Sequence, residues 1–446
     1  MKAKWFQRAP MSVRGWLIAL GGVLSAAVVA LALSVSPRYW LLAALVPVIY
    51  APFAYGRVQV GRCLAASLRA WPRASGAVAG AGVLCDALMA AQLLTARGSA
   101  QFPLLHLPGI DWVGAVWFTA HGLAALAYGA HGLLRALHST ARRFAARRGS
   151  GACTASDAPE IGRREFLQHA GVLGVAAPFA ISLSGVPLSY DFRVEEREIE
   201  LPHWPPALDG LRVAHLSDIH VGGGMDRSRL LAVAALVASA RPDVVLHTGD
   251  FLTHRRGDFD APLYEALSRI EAPLGQWASL GNHDFDDAER LERRLRDAGV
   301  TVLRDQLRIL DVGGQPLEVA GLDFTFARDE RAARIANRVA RWRPRGAAPR
   351  LLLNHDPRDF TALPDGCAEL VLSGHTHGGH VGVQLGRDAA LTVVGLAGLP
   401  DQGVFRRGDM RLFVTRCVGF YGYPMRLGIP PEIALLVLRA PSAMRA

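Results

Sequence analysis

The sequence predicts a multi-pass α-helical membrane region followed by an α/β domain, and three observations lead to this fold class. Five long apolar stretches precede residue 190. The first 190 residues carry 17 Lys and Arg against 5 Asp and Glu, whereas the rest of the chain carries 32 against 34. Beyond residue 190, short apolar runs that end in polar residues alternate with helix-like stretches, which is typical of α/β domains.

The apolar stretches are each close to the roughly 20 residues that a helix needs to cross a bilayer. We therefore predict a four-helix transmembrane region over residues 1–160, a fifth apolar segment over 161–190 and a soluble domain over 191–446. The fifth segment is weaker than the others because Pro178 and Pro187 interrupt it. The five stretches occupy residues 15–34, 39–55, 74–96, 112–137 and 166–188.

The basic residues near these stretches predict the orientation, since Lys and Arg concentrate in cytoplasmic loops. If every stretch spans, all strongly basic loops lie on one side, with the N-terminus in the cytoplasm. The protein is then a multi-pass protein of the cell (inner) membrane with an extracytoplasmic soluble domain. The basic residues are Lys2, Lys4, Arg8 and Arg14, then Arg57, Arg62, Arg69 and Arg73, then Arg142, Arg143, Arg147, Arg148, Arg163 and Arg164.

The start of the fifth segment allows two interpretations. Arg163-Arg164 followed by Phe166-Leu167 and an apolar run resembles a twin-arginine export signal. The same arginines also suit a cytoplasmic flank of a spanning helix. Both interpretations place the following domain outside the cytoplasm.

Polar residues within the apolar stretches are costly in a membrane and need a partner or a function. Asp86, His121 and His131 either pair across the helices, which we favour, or line a small polar site. The soluble region has no excess of positive charge, so we expect no nucleic-acid partner.

The five cysteines are Cys63, Cys85, Cys153, Cys367 and Cys417, and they form no CxxC motif. Cys367 and Cys417 are either a pair in an oxidising compartment or two core thiols. We favour core thiols.

Five segments of the soluble region read as a buried strand followed by polar residues. They are LRVAHLSDIH, DVVLHTGD, QWASLGNHD, RLLLNHDP and ELVLSGHTH. Residues 226–240 read as a helix with Asp226 as its N-cap, and residues 286–297 read as a charged surface helix. Because open α/β sheets usually hold ligands at the carboxyl ends of their strands, the site is expected there.

The polar residues at these strand ends suit a metal centre. Alternate residues of extended chain point the same way, so Asp218 and His220 can reach one metal together. His375 and His377 can divide between two neighbouring sites, and Asp250 can bridge a metal pair. Mixed imidazole and carboxylate ligands suit divalent Mn, Fe or Zn. The full set is Asp218, His220, Asp250, Asn282, His283, His355, His375 and His377.

These motifs, in this order, resemble the calcineurin-like metallophosphoesterase family over residues of about 194–439. They stand as Asp218-Ile219-His220, Gly249-Asp250, Gly281-Asn282-His283-Asp284, His355 and Gly374-His375-Thr376-His377. The resemblance implies a two-sheet α/β sandwich flanked by helices, with two divalent metal ions and attack on phosphorus by a metal-bound hydroxide.

The resemblance also implies a role for each matching residue. The first metal is held by Asp218, His220 and His377, and the second by Asn282, His355 and His375. Asp250 bridges the two ions, and His283 protonates the leaving oxygen. Many family members carry an acidic residue soon after Gly-Asp that steadies this histidine, but residues 251–254 read Phe-Leu-Thr-His here. Asp284 is then the candidate for that role.

The C-terminal segments GHTHGGHVG and RCVGFYGYPMRLGIPPEIALLVL resemble the membrane-linked or exported phosphodiesterases of the family. Four residues there are candidates to shape a substrate cleft: His380, Tyr421, Tyr423 and Arg426. The two tyrosines belong either to the cleft or to a core strand and its loop, and Arg426 either contacts a phosphate oxygen or is a surface charge.

Three functions remain open. The leading hypothesis is a membrane-anchored phosphodiesterase with a phosphoester substrate, lipid-linked or from the cell envelope, outside the cytoplasm. The alternative enzyme is a UDP-acylsugar pyrophosphohydrolase, which needs a cytoplasmic active site. The third is a membrane sensor or transporter regulated by its soluble domain.

Overall fold

The structure is a computed structural model, and the chain divides into two compact units, Met1–Ser184 and Gly185–Ala446. The residues that the structure describes are 53–64, 72–95, 108–147, 163–222, 224–253, 260–326, 330–342, 348–387, 389–420 and 425–442.

Helices make up the described part of the first unit. They are α1 over 53–64, α2 over Pro72–Thr95, α3 over Pro108–Arg147 and α4 over Arg163–Leu188, which continues into the second unit. The first two predicted spans lie almost entirely outside the described residues. Contrary to the predicted interruption, α4 runs through both of its prolines.

One described helix contains a segment long and apolar enough to cross a membrane, Trp112–Phe144 within α3. Two shorter apolar helical segments are Gly76–Asp86 and Ala176–Leu188. The described residues therefore do not by themselves establish several membrane passes.

Asp86 in α2 is satisfied by hydrogen bonds between helices. Its carboxylate accepts from Arg57 Nε at 3.2 Å and from the indole of Trp117 at 2.7 Å. Arg57 is thus a buried residue of α1, and counting it among loop residues was wrong. His121 is buried, with Nδ1 2.7 Å from the Trp117 carbonyl, whereas His131 is exposed. The two histidines therefore do not form a common site.

The second unit is built on two six-stranded sheets. The first has the order β1-β14-β2-β3-β4-β5, and the second has the order β12-β13-β9-β8-β7-β6. Strands β2 to β5 are parallel to one another, and so are β7, β8, β9 and β13. The strands are β1 Arg193–Glu200, β2 Leu211–Leu216, β3 Val244–His247, β4 Gln276–Ala278, β5 Val300–Val302, β6 Gln306–Val312, β7 Gln315–Gly321, β8 Arg350–Leu353, β9 Leu370–Ser373, β10 Gly382–Gln384, β11 Ala390–Thr392, β12 Gly403–Arg407, β13 Met410–Val414 and β14 Glu432–Arg439.

The two sheets share a buried apolar core because alternate strand residues face opposite sides. Val213 and Leu246 of the first sheet pack with Leu353 and Leu372 of the second. The outer face of the first sheet packs against α5, α6 and α7, and that of the second packs against α8. These helices are α5 Arg227–Ser239, α6 Ala261–Leu267, α7 Ala288–Asp297 and α8 Arg331–Val339. The predicted two-sheet α/β sandwich is confirmed.

The two predicted helices are present with small changes at their ends. The Asp226 side chain caps α5 by accepting from the backbone N–H of Arg229. The second helix begins at Ala288 because residues 284–287 form a tighter 3₁₀ turn. A two-stranded hairpin, β10 and β11, leads into the short helix α9, Val393–Leu396.

Candidate metal centre

The predicted ligands lie just beyond the carboxyl ends of parallel strands in both sheets. Asp218 and His220 follow β2, Asp250 follows β3, and Asn282 follows β4. His355 follows β8, and the pair His375 and His377 follows β9. The two sheets present these ends at one edge of the sandwich, and the structure brings all the ligands together there.

The backbone that aims these ligands is not extended, so our reason for their convergence was wrong. Asp218 has a φ of 54° and His220 a φ of 51°, and Asp250, His375 and His377 are also left-handed. Left-handed backbone is uncommon outside glycine, although Asp and His tolerate it better than most residues. Such conformations cluster at functional sites, where the surrounding fold enforces them. Strands β2, β3 and β9 are therefore each followed by a kink that turns the ligands toward the centre.

The first cluster surrounds the Oδ1 atom of Asp218. This oxygen lies 3.2 Å from His377 Nε2 and 3.7 Å from His220 Nε2. The rings of the two histidines stack at a centroid distance of 5.1 Å. All of these side chains are buried. The cluster therefore presents one carboxylate oxygen and two ring nitrogens to one small volume.

The second cluster surrounds the Nε2 atom of His355. This nitrogen lies 3.1 Å from His375 Nδ1, 3.2 Å from Asn282 Oδ1 and 3.3 Å from Asp250 Oδ2. Two ring nitrogens so close to each other are most readily accommodated by a shared cation or proton.

Asp250 connects the two clusters through a single atom. Its Oδ2 is 3.3 Å from His355 Nε2 and 3.6 Å from His220 Nε2. Burial alone would raise the pKa of Asp250, but His355 and His220 outweigh it and hold the pKa at about 2. Burial would likewise lower the pKa of His355, yet Asp250 and Asp218 raise it to about 10. The carboxylates that raise the pKa of His355 would equally attract a divalent cation to this position.

The remaining contacts of Asp218 show that the site fits a metal ion. Its Oδ2 accepts from Ser217 Oγ at 2.5 Å, from the His375 backbone N–H at 2.9 Å and from Cys417 Sγ at 3.1 Å. Its Oδ1 is buried and has no hydrogen-bond partner among the described residues. A buried carboxylate oxygen without a donor is costly unless a cation occupies the space before it. The donor set of carboxylates, imidazoles and an amide suits Mn, Fe or Zn.

Backbone carbonyls fix the tautomers of two ligands. The Nδ1 of His355 lies 2.7 Å from the Thr248 carbonyl, and the Nδ1 of His377 lies 3.3 Å from the Gly419 carbonyl. Because a carbonyl only accepts, Nδ1–H donates in each ring, which leaves Nε2 as the atom that would bind a metal, in His355 after its second proton has been displaced.

His283 lies at the edge of the centre and is partly exposed. Its backbone N–H donates to Asp250 Oδ1 at 2.8 Å, and its Nδ1–H donates to the Thr253 carbonyl at 3.2 Å. Burial lowers the pKa of its ring despite the nearby Asp250 carboxylate.

Asp284 binds backbone, which differs from its predicted role of steadying the His283 ring. Its carboxylate accepts from the N–H groups of Asp250, Phe251 and Gly281 at 2.7, 2.9 and 2.9 Å. It thus ties together the two loops that carry Asp250 and Asn282.

Arg426 is neither a surface charge nor a phosphate ligand. It is fully buried, and its guanidinium donates to the carbonyls of His377, Arg416, Cys417 and Gly419. Its role is therefore to hold the loop that backs the first cluster.

The other C-terminal candidates have separate outcomes. His380 is buried, and its ring packs edge-on against His377 at 4.7 Å, so it supports a ligand and does not line an open cleft. Tyr421 and Tyr423 lie outside the described residues.

Cys367 and Cys417 are both buried free thiols, as we favoured, and Cys417 additionally contacts Asp218.

Sequence reasoning missed three residues that support the centre. Thr248 donates from Oγ1 to Ser217, which in turn donates to Asp218. Phe324 packs its ring against both His355 and His375, at 5.9 and 6.0 Å. Ser217 and Thr248 directly precede recognisable motif residues, which was a usable signal. Nothing in the sequence marked Phe324.

Comparison with known proteins gives one family and several relatives. Residues 211–379 match the family model described as calcineurin-like phosphoesterase. The chain is 30% identical over 262 residues to a zebrafish (Danio rerio) transmembrane protein with metallophosphoesterase domain, covering 55% of this chain and 57% of that protein. It is 28% identical to the phosphodiesterase YaeI of Escherichia coli, covering 51% of this chain and 82% of that protein. It is 25% identical to the UDP-2,3-diacylglucosamine pyrophosphatase LpxG of Chlamydia trachomatis, covering 55% of this chain and 88% of that protein.

Proposed function

The chain carries a calcineurin-like phosphoesterase domain and is a metal-dependent phosphohydrolase, and from this premise we propose that it is a membrane-anchored two-metal phosphodiesterase that acts outside the cytoplasm. The observation that carries the two-metal assignment is the position of Asp250 Oδ2, which lies within 3.6 Å of a ligand nitrogen in each cluster. One metal would be held by Asp218, His220 and His377, and the other by Asn282, His355 and His375, with Asp250 between them.

The chemistry follows from what these residues hold in place. Divalent cations bound there supply positive charge against a phosphoester and lower the pKa of water near phosphorus. His283 engages the Thr253 carbonyl through Nδ1–H, so Nε2 is the atom that passes a proton to the leaving oxygen. Phe324 covers the second cluster and reduces its contact with water.

The membrane assignment rests on several observations of different kinds. The Trp112–Phe144 segment has the length and composition of a span. In the predicted multi-pass arrangement the strongly basic loops of the first 190 residues fall on one side, and the opposite loops carry only Arg38 and Arg97. The zebrafish relative is named as a transmembrane protein. The diester preference is proposed because the Escherichia coli relative is named as a phosphodiesterase.

The test compares a chromogenic phosphodiester with its monoester, using the purified full-length protein and added Mn²⁺. We expect faster cleavage of the diester, loss of activity with a chelator, and loss of activity in Asp250→Asn without loss of fold. Asp311→Asn is the matched control because Asp311 lies in the β6–β7 hairpin and bonds only local backbone in the described structure. Full activity of Asp250→Asn would refute the two-metal assignment.

A UDP-acylsugar pyrophosphohydrolase is the second candidate, favoured by the similarity to the Chlamydia trachomatis pyrophosphatase. Its nucleotide substrate requires a cytoplasmic active site. A reporter fused after residue 446 distinguishes the two, since activity of a cytoplasm-specific reporter would support this candidate and contradict the proposed orientation.

The structure weakens the argument for a membrane sensor or transporter. Asp86, which suggested a polar membrane site, is satisfied by Arg57 and Trp117. If deletion of residues 1–160 changes only the location of the activity, this alternative is excluded.

A further inference from the structure

An exposed apolar surface follows the metal-ligand loop directly. We call it the apolar hairpin and define it by Val383, Leu385, Leu391, Val393 and Leu396. These side chains are between 51% and 73% exposed. Val383 and Leu391 face each other across β10 and β11, and Val393 and Leu396 lie one turn apart in α9. Contiguous exposed apolar groups on a soluble fold mark an interaction surface.

The apolar hairpin is packed onto the metal-ligand loop. Gly379 lies so close to Thr392 that a Cβ on the glycine would be 2.9 Å from the Thr392 Cβ. Asp401 joins the two segments, since its carbonyl accepts from Thr376 at 2.8 Å and its carboxylate accepts from Thr392 at 2.6 Å. Thr376 stands between the ligands His375 and His377. Whatever covers the apolar hairpin is therefore held beside the catalytic centre.

The same surface is tied to the end of the apolar helix that leads into this unit. Ser189, just after α4, accepts from the Arg426 backbone N–H at 2.7 Å. The next residue, Leu427, bonds the chain around His380 and Gly382, where the hairpin begins. A short run of backbone thus connects the exit of α4 with the apolar hairpin.

We propose that the apolar hairpin docks into the apolar region of a lipid bilayer and thereby presents the metal centre to phosphoesters of membrane lipids. Side chains that are more than half exposed protrude from the surface, which suits insertion better than the enclosure of a single acyl chain. Residues 389–400, which carry Leu391, Val393 and Leu396, contain no Asp, Glu, Lys or Arg, so this part of the surface has no charge to desolvate on insertion, and the charged Arg387 and Asp388 that directly precede it in the sequence suit the lipid headgroups. Ser189, which Arg426 contacts, directly follows the apolar segment Ala176–Leu188 in the chain. The substrate class rests on the proposed function, whereas the docking does not.

The docking is tested without activity by photo-cross-linking. The full-length protein is reconstituted in vesicles of phosphatidylethanolamine and phosphatidylglycerol that carry a trace of lipid with a diazirine in its acyl chain. After irradiation and trypsin digestion, we expect adducts in the peptide 388–406 that are lost in Leu391→Glu/Leu396→Glu. Ile309, which is 49% exposed in β6, is the internal control and should carry none. Adducts in α3 but none in 388–406 would overturn the proposal.

A second measurement links docking to substrate. The Leu391→Glu/Leu396→Glu variant should cleave a vesicle-embedded lipid phosphodiester about tenfold or more slowly while its rate on a soluble chromogenic diester is unchanged. Ile309→Glu should alter neither rate, and a single Leu396→Gln variant repeats the comparison if the double variant does not fold. Equal slowing on both substrates would contradict docking. A wild-type protein that forms adducts but cleaves no diester would retain the docking and refute the proposed function. A dimer that the charged variant dissociates, without adducts, would assign the surface to a second copy.

Discussion

Gly374 separates the end of β9 from the ligand His375, and its missing side chain is what allows Asp218 to lie where it does. A Cβ built on Gly374 would be 2.7 Å from the Ser217 Cβ and would overlap both the Ser217 hydroxyl and Asp218 Oδ2. The φ of Gly374 is not in the left-handed region, so alanine brings no backbone strain of its own. Gly374→Ala therefore perturbs the site by steric displacement alone.

The size of the displacement follows from contact distances. Carbon atoms in contact prefer separations of about 3.5–4.0 Å, so the loop carrying Ser217 and Asp218 has to retreat by about 1 Å. Metal–ligand distances tolerate deviations of about 0.2 Å, which makes such a retreat incompatible with binding through Asp218 Oδ1. We expect the affinity of the first metal to fall about 100-fold, since changes that only disturb ligand support already cost 10–100-fold. Overpacking should also cost about 1–3 kcal/mol of folding stability.

The assay is titration calorimetry of metal-stripped full-length protein with Mn²⁺, accompanied by circular dichroism to check the fold. Wild-type protein should bind two ions, and Gly374→Ala should retain the second site while the first weakens. Gly386→Ala is the matched control because Gly386 has no left-handed φ and no described atom within 4 Å of an added Cβ. Wild-type affinity at both sites in Gly374→Ala would refute the argument that Asp218 Oδ1 is a ligand.

Three further predictions concern other parts of the centre. Asp250 and Asp218 raise the pKa of His355 to about 10 despite its burial, so Mn²⁺ must displace a proton from this ring in order to bind. The affinity for Mn²⁺ should therefore fall about tenfold for each pH unit below that value. Calorimetry in buffers of different ionisation enthalpy should show the release of the proton. Arg426→Met leaves several buried carbonyls without donors and should cost about 4 kcal/mol, seen as a lower denaturation midpoint, whereas an unchanged midpoint would contradict its structural role. Cys417→Ser keeps a donor to Asp218 and should retain Mn²⁺ affinity, whereas Cys417→Ala should weaken it about threefold; equal affinities would show that the thiol is not needed.

Much of the second unit was predictable because local patterns there agree with the final structure. The runs before Asp218, Asp250 and His355 are short, apolar and followed by polar residues, which indicates parallel strands with a site at their ends. The Asp226 cap was also readable, since an N-cap depends on only a few neighbouring residues.

The sequence by itself determined which residue types assemble the candidate centre and which strands carry them, because strand periodicity and ligand chemistry are local properties. Tertiary structure alone decided how they converge. The left-handed backbone at Asp218 and Asp250 exists because two sheets and their loops enforce it. Three other contacts join residues that are distant in the chain, and sequence spacing carries no information on them. Asp284 binds the backbone N–H of Asp250, Arg426 binds buried backbone carbonyls, and Arg57 pairs with Asp86.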